Sequence, residues 1–142
     1  MIENSILLSL YNDAFASIHC QIIRGKLNIA KPLIIMSMFE LIEQEHVFLN
    51  KFYIADIKES YERLQKKYSS TTPYQCPLYF LENESFYHLK WKNGRIKTHT
   101  PSAKLIRENV EYAYFDNALW DLVQKQEMRN HFRTIIENYY LK

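Results

Sequence analysis

A segment that is apolar on almost every side constrains the fold more than any other feature of the chain. Lys31-Pro32 opens it, and proline fits the first turn of a helix because its missing N–H would have no intrahelical partner there. Such a helix has no polar face to turn to solvent, so we expect it to form the buried centre of the domain. It is shorter than the about 20 apolar residues that span a bilayer. Its apolar members include Leu33, Ile34, Met36, Met38, Phe39, Leu41 and Ile42.

The other predicted helices show apolar side chains at three- and four-residue spacing. They cover residues 3–23, with Gly25 as the C-terminal stop, residues 56–68 and residues 126–140. Pro101-Ser102 opens a further helix, and Asp116 is a good N-cap for a short one. The Ser-, Thr- and Pro-rich residues 69–77 predict a loop. Short connections are expected at residues 47–54 and near 114–115.

A β-hairpin is predicted within the second half of the chain. Residues 86–91 alternate with period two and are rich in aromatics, which is typical of a strand. Asn93-Gly94 follows, and both central positions of a type I′ turn need positive φ, so we expect residues 95–100 to form the return strand. The fold class is therefore mainly α (α+β): one compact helical domain over residues 1–142 with one hairpin. Three helices followed by a basic hairpin also give the order of a winged-helix module.

Composition excludes several classes of protein. Two glycines, Gly25 and Gly94, leave little room for phosphate-binding glycine loops or a turn-dense β-sandwich. Two cysteines give no disulfide framework. The N-terminus carries Glu3 and Asp13 and lacks the pattern of a signal peptide, so a soluble, cytoplasmic domain is expected.

Catalytic chemistry finds little support in the sequence. No G-x-S-x-G, P-loop or HNH constellation can be assembled, and we predict no enzyme activity, cofactor or metal. His88 and His99 could face each other across the hairpin as a metal pair, although phosphate contact or a plain strand surface is the simpler interpretation. Adjacent helix residues point about 100° apart, so His19 is not a base for Cys20, which is interpreted as a small helix residue. A site assembled between chains stays open.

Positive charge is concentrated between residues 85 and 107. Six Lys or Arg and no acid give this 23-residue segment +6, so the other 119 residues carry −4. A block of this kind is an electrostatic footprint for phosphate or another polyanion. The alternative is a solvated face whose acidic partners come from elsewhere in the chain. Aromatic side chains interleave with the cations, and they could stack on bases or form the core side of the hairpin.

A protein-interaction module without nucleic-acid binding is the main rival hypothesis. It depends on the aromatic excess, because Tyr and Trp are frequent interface anchors. The candidate anchors are Tyr112, Tyr114, Phe115, Trp120, Tyr139 and Tyr140.

Three ordered segments resemble a known family. The first segment is Ala-Lys-Pro-Leu-Ile-Ile-Met at 30–36. The second is Cys-Pro-Leu-Tyr-Phe-Leu at 76–81, followed by Ser-Phe-Tyr-His-Leu at 85–89. The third comprises Leu-Ile-Arg at 105–107, Tyr-Ala-Tyr-Phe-Asp at 112–116, Leu-Trp at 119–120 and Ile-Ile-Glu-Asn-Tyr-Tyr at 135–140. Over residues 25–140 they resemble the N-terminal sulfur-binding domain of modification-dependent HNH restriction endonucleases, which recognises phosphorothioate-modified DNA.

The resemblance implies particular site residues. Lys31 matches a basic residue before the Pro-Leu helix, and Pro77 matches a turn proline, with Leu78 where Phe is usual. The chain departs from the family at Ala30, often a histidine, at Cys76, usually aromatic, and at Phe80, usually a small pocket residue.

The resulting hypothesis is a stand-alone, non-catalytic domain that binds double-stranded DNA in restriction or phage defence, with phosphorothioate or otherwise modified DNA as the candidate target. The chain stops just past the recognition domain, so a partner nuclease is expected to supply cleavage. The predicted DNA-binding residues are Arg24, Lys31, Pro77, Leu78, Tyr79, Phe80, Lys90, Lys92, Arg95, Lys97, Lys104 and Arg107.

Overall fold

The structure, a computed structural model, is mainly helical. It describes residues 2–142, with side chains from Ser5 onward. The α-helices are α1 (Ile2–Ala16), α2 (Ala30–Glu43), α3 (Ile54–Tyr68), α4 (Gln75–Phe80), α5 (Ala103–Asn109), α6 (Asn117–Leu122) and α7 (Gln126–Tyr140), and one 3-10 turn covers Leu81–Asn83.

Two small antiparallel sheets accompany the helices. Strands β1 (Ile22–Ile23) and β2 (Lys26–Leu27) form a two-stranded hairpin. Strands β3 (Phe52–Tyr53), β4 (Tyr87–Trp91) and β5 (Val110–Phe115) form a three-stranded sheet in the order β3-β5-β4.

Helix α2 lies at the centre of the core, as predicted. Leu33, Ile34, Met38 and Phe39 are fully buried. The ring of Phe15 joins this helix to its surroundings. Its centroid lies 6.2 Å from that of Phe39, and the ring also packs against Phe86, just before β4, and Phe132 of α7. The helix therefore fixes the positions of the elements that surround it.

The predictions for α3 and α7 are confirmed, whereas the first helix is shorter than predicted. The stripe pattern predicts α7 at its observed bounds and α3 within two residues of its start. Helix α1 stops at Ala16, and Gly25 is not its C-terminal stop. Instead Arg24 (φ 53°) and Gly25 (φ 75°) form the two-residue turn between β1 and β2. Two successive positive φ values suit a hairpin and not a helix end.

Part of the predicted 69–77 loop is helical. Helix α4 begins at Gln75 and contains Pro77 as its third residue. Proline is compatible with this position because the first backbone N–H groups of a helix have no intrahelical partner.

The hairpin predicted at Asn93-Gly94 does not form. Residues 95–100 are irregular, and β4 pairs instead with β5, where the sequence predicted a connection near residues 114–115. The inward side chains of β5 include Ala113 and Phe115, which complete the apolar face of β4, whereas residues 95–100 offer only Ile96. The winged-helix order therefore does not arise. No helix among the described residues is long and apolar enough to cross a membrane.

Candidate nucleic-acid interface

A cavity of about 490 Å³ brings the residues of the family resemblance together. It opens beside the first turn of α2 and the N-terminal half of α4. Its wall includes Ala30, Lys31, Cys76, Pro77 and Phe80. These residues come from two segments about 45 positions apart in sequence, so the fold alone makes them neighbours.

Asn28 and Thr72 hold the two sides of the cavity in place. The Asn28 side-chain oxygen accepts a hydrogen bond from the N–H of Ala30 at 2.9 Å, and its amide donates to the Thr72 hydroxyl at 3.2 Å. The Thr72 carbonyl accepts from the Tyr61 hydroxyl and the Gln65 amide, each at 2.7 Å. The loop before α4 is therefore tied to both α2 and α3.

Three of the four predicted contact residues on α4 are buried: Pro77, Leu78 and Tyr79, of which Pro77 lines the cavity. Leu78 is 0% exposed and Tyr79 is 2% exposed, which leaves them no surface for DNA. The Tyr79 hydroxyl donates to the carbonyl of Ile96 at 2.8 Å and accepts from the N–H of Thr98 at 3.0 Å. Tyr79 therefore positions the irregular basic segment that follows β4.

Lys31 reaches the cavity with an acid beside it. Its Nζ lies 4.0 Å from Glu84 Oε2, and both side chains are largely buried. The same Glu84 oxygen accepts from the backbone N–H of His19 at 3.4 Å. The cation is thus held at the cavity wall and partly neutralised.

The cavity also contains two thiols, and one corrects the sequence interpretation. Cys20 lies in the segment after α1, not on the helix, and lines the cavity with Cys76. Burial raises the pKa of Cys20 to about 11, which outweighs the lowering by Lys31, and the Glu84 charge raises it further. Burial also raises the pKa of Cys76. Both groups are therefore neutral thiols at pH 7, and the wall around Phe80 is mainly uncharged.

Several cavity residues are not among the predicted DNA-binding residues. Asn28, Thr72 and Asn83 carry no sequence signal, and His19, Cys20 and His99 are considered in the sequence only as catalytic or metal-binding candidates. His88 and His99 do not pair, because the hairpin that would have brought them together is absent. His88 instead contacts Asp116 at 2.5 Å, and the other Asp116 oxygen accepts from the Tyr11 hydroxyl at 3.1 Å. No group of three or more metal-ligating side chains occurs among the described residues.

The fold separates the cations of the basic segment at residues 85–107 from one another. Arg95 pairs with Glu82 at 3.1 Å, so one of these cations has an acidic partner from elsewhere in the chain. Lys92 and Arg107 line a second groove with Lys51 and Lys58. The exposed cations Arg24, Lys90, Lys97 and Lys104 lie outside both linings.

The proposed protein-interaction anchors are only partly exposed. Phe115 and Tyr140 are buried in the core, which corrects that part of the rival hypothesis. The Tyr140 hydroxyl donates to the carbonyl of Phe15 at 2.5 Å and accepts from the N–H of Ile18 at 2.8 Å. Tyr139 is 61% exposed.

No protein-family model and no curated protein matches the sequence. The fold, however, is similar to solved sulfur-binding domains. The sulfur-binding domain of SprMcrA complexed with phosphorothioated DNA gives a TM-score of 0.76 at 13% identity, covering 95% of this chain and 86% of that chain. The sulfur-binding and SRA domains of ScoMcrA complexed with phosphorothioated DNA give 0.72 at 9% identity, covering 87% of this chain and 40% of that one.

A third structure extends the comparison to a whole enzyme. The Type IV phosphorothioation-dependent restriction endonuclease ScoMcrA gives a TM-score of 0.72 at 10% identity, and 92% of this chain covers 29% of that chain. This chain therefore has the fold of a sulfur-binding domain, and its length corresponds to a minor part of that endonuclease.

Proposed function

We propose that this chain is a DNA-binding domain that receives a modified backbone phosphate, with phosphorothioate as the ligand, in the cavity between α2 and α4. The observation that carries the proposal is the meeting of Lys31, Cys76, Pro77 and Phe80 in that one cavity, in a domain with the fold of sulfur-binding domains. It acts by binding, and a partner nuclease supplies cleavage.

The chemistry of the wall suits sulfur better than oxygen. A phosphorothioate sulfur is larger and less strongly hydrated than a phosphate oxygen, so transferring it to an apolar wall costs less desolvation. Phe80 and Pro77 supply that wall, and the Cys20 and Cys76 thiols add polarizable surface without negative charge. A small family-type residue is not required for an apolar contact, because Phe80 is itself apolar and partly exposed.

Affinity and selectivity should come from different residues. Lys31 offers a charge to a duplex backbone phosphate in the cavity, modified or unmodified, and the first turn of α2 adds the partial positive charge of a helix N-terminus. The exposed Arg24 follows the cavity residue Ile23, and the exposed Lys97 lies two residues before the cavity residue His99, so both extend the positive surface. Four to six such phosphate contacts lower log K by roughly 0.9 per contact for each decade of salt.

The test is fluorescence anisotropy with matched short duplexes, unmodified and phosphorothioate-modified, over a salt series. We expect the modified duplex to bind roughly tenfold more tightly, about 1.4 kcal/mol. Lys31→Gln should weaken binding to both duplexes, whereas Phe80→Gln should remove mainly the preference for sulfur. Lys66→Gln, on the exposed face of α3, is the matched control for loss of one charge.

The outcomes separate the hypotheses. Equal, salt-sensitive binding to both duplexes would leave general DNA binding and remove sulfur recognition. Absence of binding to either duplex at about 50 mM salt would overturn the proposal and favour the protein-interaction hypothesis.

A further inference from the structure

A second groove, away from the cavity between α2 and α4, combines cations with the exposed ring of Tyr53 and the partly exposed ring of Tyr112. It has a volume of about 670 Å³ and lies between α3, α5 and the strands β3 and β5. We name it the Lys51–Arg107 groove and define it by Lys51, Tyr53, Lys58, Lys92, Arg107 and Tyr112. Its volume falls within the about 300–1,000 Å³ of ordinary ligand sites.

The charge of the groove is strongly positive. Four cations line it, and Glu111 is the acid among its lining residues. In the described part of the chain, the salt bridges do not involve Lys51, Lys92 or Arg107. Lys58 has a half-exposed i,i+4 partner at 3.6 Å, and such a surface pair contributes little. These cations are therefore available to a polyanion.

The aromatic rings lie on the outward face of the three-stranded sheet. Phe52 of β3 points into the core with 0% exposure, and the next residue, Tyr53, points the other way and is 54% exposed. The ring centroid of Tyr53 lies 6.2 Å from that of Tyr112 on β5, and the centroid of Tyr112 lies 5.9 Å from that of Tyr114. His88 of β4 continues this row, with its centroid 5.1 Å from that of Tyr114.

Cations and rings are close enough to act on the same ligand. Lys51 Nζ lies 5.3 Å from the centroid of Tyr112. Lys58 Nζ lies 5.8 Å from the centroid of Tyr74, whose ring is buried and positions this ammonium group at the groove. A planar base stacked on an exposed ring would thus carry its phosphate next to an ammonium group. Duplex DNA keeps its bases stacked inside the helix and cannot use such rings, whereas an unpaired strand can.

We propose that the Lys51–Arg107 groove binds an unpaired nucleic-acid strand, with phosphates on Lys51, Lys92 and Arg107 and bases stacked on Tyr53 and Tyr112. The charge complementarity selects a polyanion, and the row of rings selects one with exposed bases. This site is separate from the cavity that contains Lys31, and it needs no sulfur in the ligand.

The experiment is anisotropy of a fluorescein-labelled, unmodified oligothymidylate of about 12 nucleotides, near the site sizes of single-strand binders. Tyr53→Ala should weaken binding roughly fivefold or more, and Tyr53→Phe should restore it, because the ring and not the hydroxyl carries stacking. The double variant Lys51→Gln/Arg107→Gln should lower the salt slope by about 1.4, roughly 0.7 for each lost phosphate contact. Lys31→Gln and Lys66→Gln should leave this binding unchanged.

Several results would overturn the proposal. One is oligothymidylate binding that neither Tyr53→Ala nor the double variant alters. Another is a competition experiment in which an unmodified duplex, or polyglutamate, displaces the labelled oligonucleotide at the same concentration that unlabelled oligothymidylate requires. Because Lys31→Gln is expected to affect only duplex binding, failure of this proposal is distinct from failure of the proposed duplex function.

Discussion

Lys31 Nζ lies 4.0 Å from Glu84 Oε2 at the wall of the cavity between α2 and α4. Glu84 follows the 3-10 turn after α4, so the acid is delivered by the same segment that supplies Pro77 and Phe80. A phosphate that enters the cavity has to share Lys31 with this carboxylate, which opposes binding by like-charge repulsion.

Replacing that carboxylate should strengthen DNA binding. Glu84→Gln keeps the shape of the side chain and removes the negative charge beside Lys31, so we expect the affinity for both duplexes to rise roughly fivefold, about 1 kcal/mol. Anisotropy titration at constant salt measures the change. Glu127→Gln, at an exposed position in the first turn of α7, is the matched control, and an unchanged Kd for Glu84→Gln would contradict the competition.

The cavity thiols should react slowly at neutral pH. Burial raises the pKa of Cys20 to about 11, so in a Cys76→Ser background its alkylation by iodoacetamide should rise with pH through this value. Glu84→Gln should shift the profile to lower pH and Lys31→Gln to higher pH, because the two charges act in opposite directions on the thiol pKa. Mass spectrometry of samples quenched at successive times measures the alkylation rate. A midpoint at the ordinary value near 9 would show that Cys20 is not buried in this way.

Glu43 links α2 to α7 through two arginines, and its loss should destabilise the fold. Burial alone would raise the Glu43 pKa, but hydrogen bonds from Arg133, Gln126 and Arg129 outweigh it and lower the pKa below 4.5. Glu43→Gln leaves Arg129, only 7% exposed, without its counter-charge, although backbone carbonyls still accept from it. We expect a cost of about 2 kcal/mol in the free energy of unfolding by urea at pH 7.

The lowered pKa of Glu43 determines how its contribution to the free energy of unfolding changes with pH. The unfolded chain binds a proton at Glu43 at higher pH than the folded chain, so this stabilisation is present above about pH 4.5 and is lost as pH falls through the folded pKa. The difference in stability between wild type and Glu43→Gln should therefore shrink below pH 4.5. A difference that stays constant with pH would contradict the assignment.

The buried hydroxyl of Tyr140 should contribute more than a typical hydrogen bond. It donates to the carbonyl of Phe15 and accepts from the N–H of Ile18, so Tyr140→Phe leaves two buried backbone groups unsatisfied. We expect the free energy of unfolding to fall by about 2 kcal/mol. Tyr139→Phe, at the exposed neighbouring position, is the control and should change little. Equal effects in the two variants would remove the special role of Tyr140.

Local apolar spacing predicts α3 and α7 because the buried side of a helix appears as one stripe in its own sequence. Helix α7 was predicted at its observed bounds for this reason. Strand pairing depends on residues far apart, and the turn chemistry of Asn93-Gly94 could not reveal that β4 would pair with Val110–Phe115. The chain instead makes its two-residue hairpin turn at Arg24-Gly25, where an arginine with positive φ gives no sequence signal.

The candidate site was predictable only through the family resemblance. Lys31 and Pro77 were singled out by motif, whereas Cys20 and Thr72 reach the cavity from segments without any motif. The charge pattern predicts one basic segment at residues 85–107, but not its division by the fold. Glu82 and the second groove separate cations that are neighbours in sequence.

That division predicts different contributions from Arg95 and Lys97. Arg95 pairs with Glu82, whose carboxylate also accepts hydrogen bonds from the N–H of Leu89 and the indole of Trp91, so part of its charge is already used. Lys97→Gln should therefore lower the salt slope of duplex binding by about 0.9, one phosphate contact, and Arg95→Gln by clearly less.

The choice of substitution matters for the same reason. Arg95→Glu would place two carboxylates together and disturb the edge of β4, so weaker binding by that variant could reflect a structural change. Glutamine variants avoid this repulsion, and Lys66→Gln controls for the loss of one charge. Equal reductions of the salt slope for Arg95→Gln and Lys97→Gln would show that Arg95 leaves Glu82 and contacts a DNA phosphate in the complex.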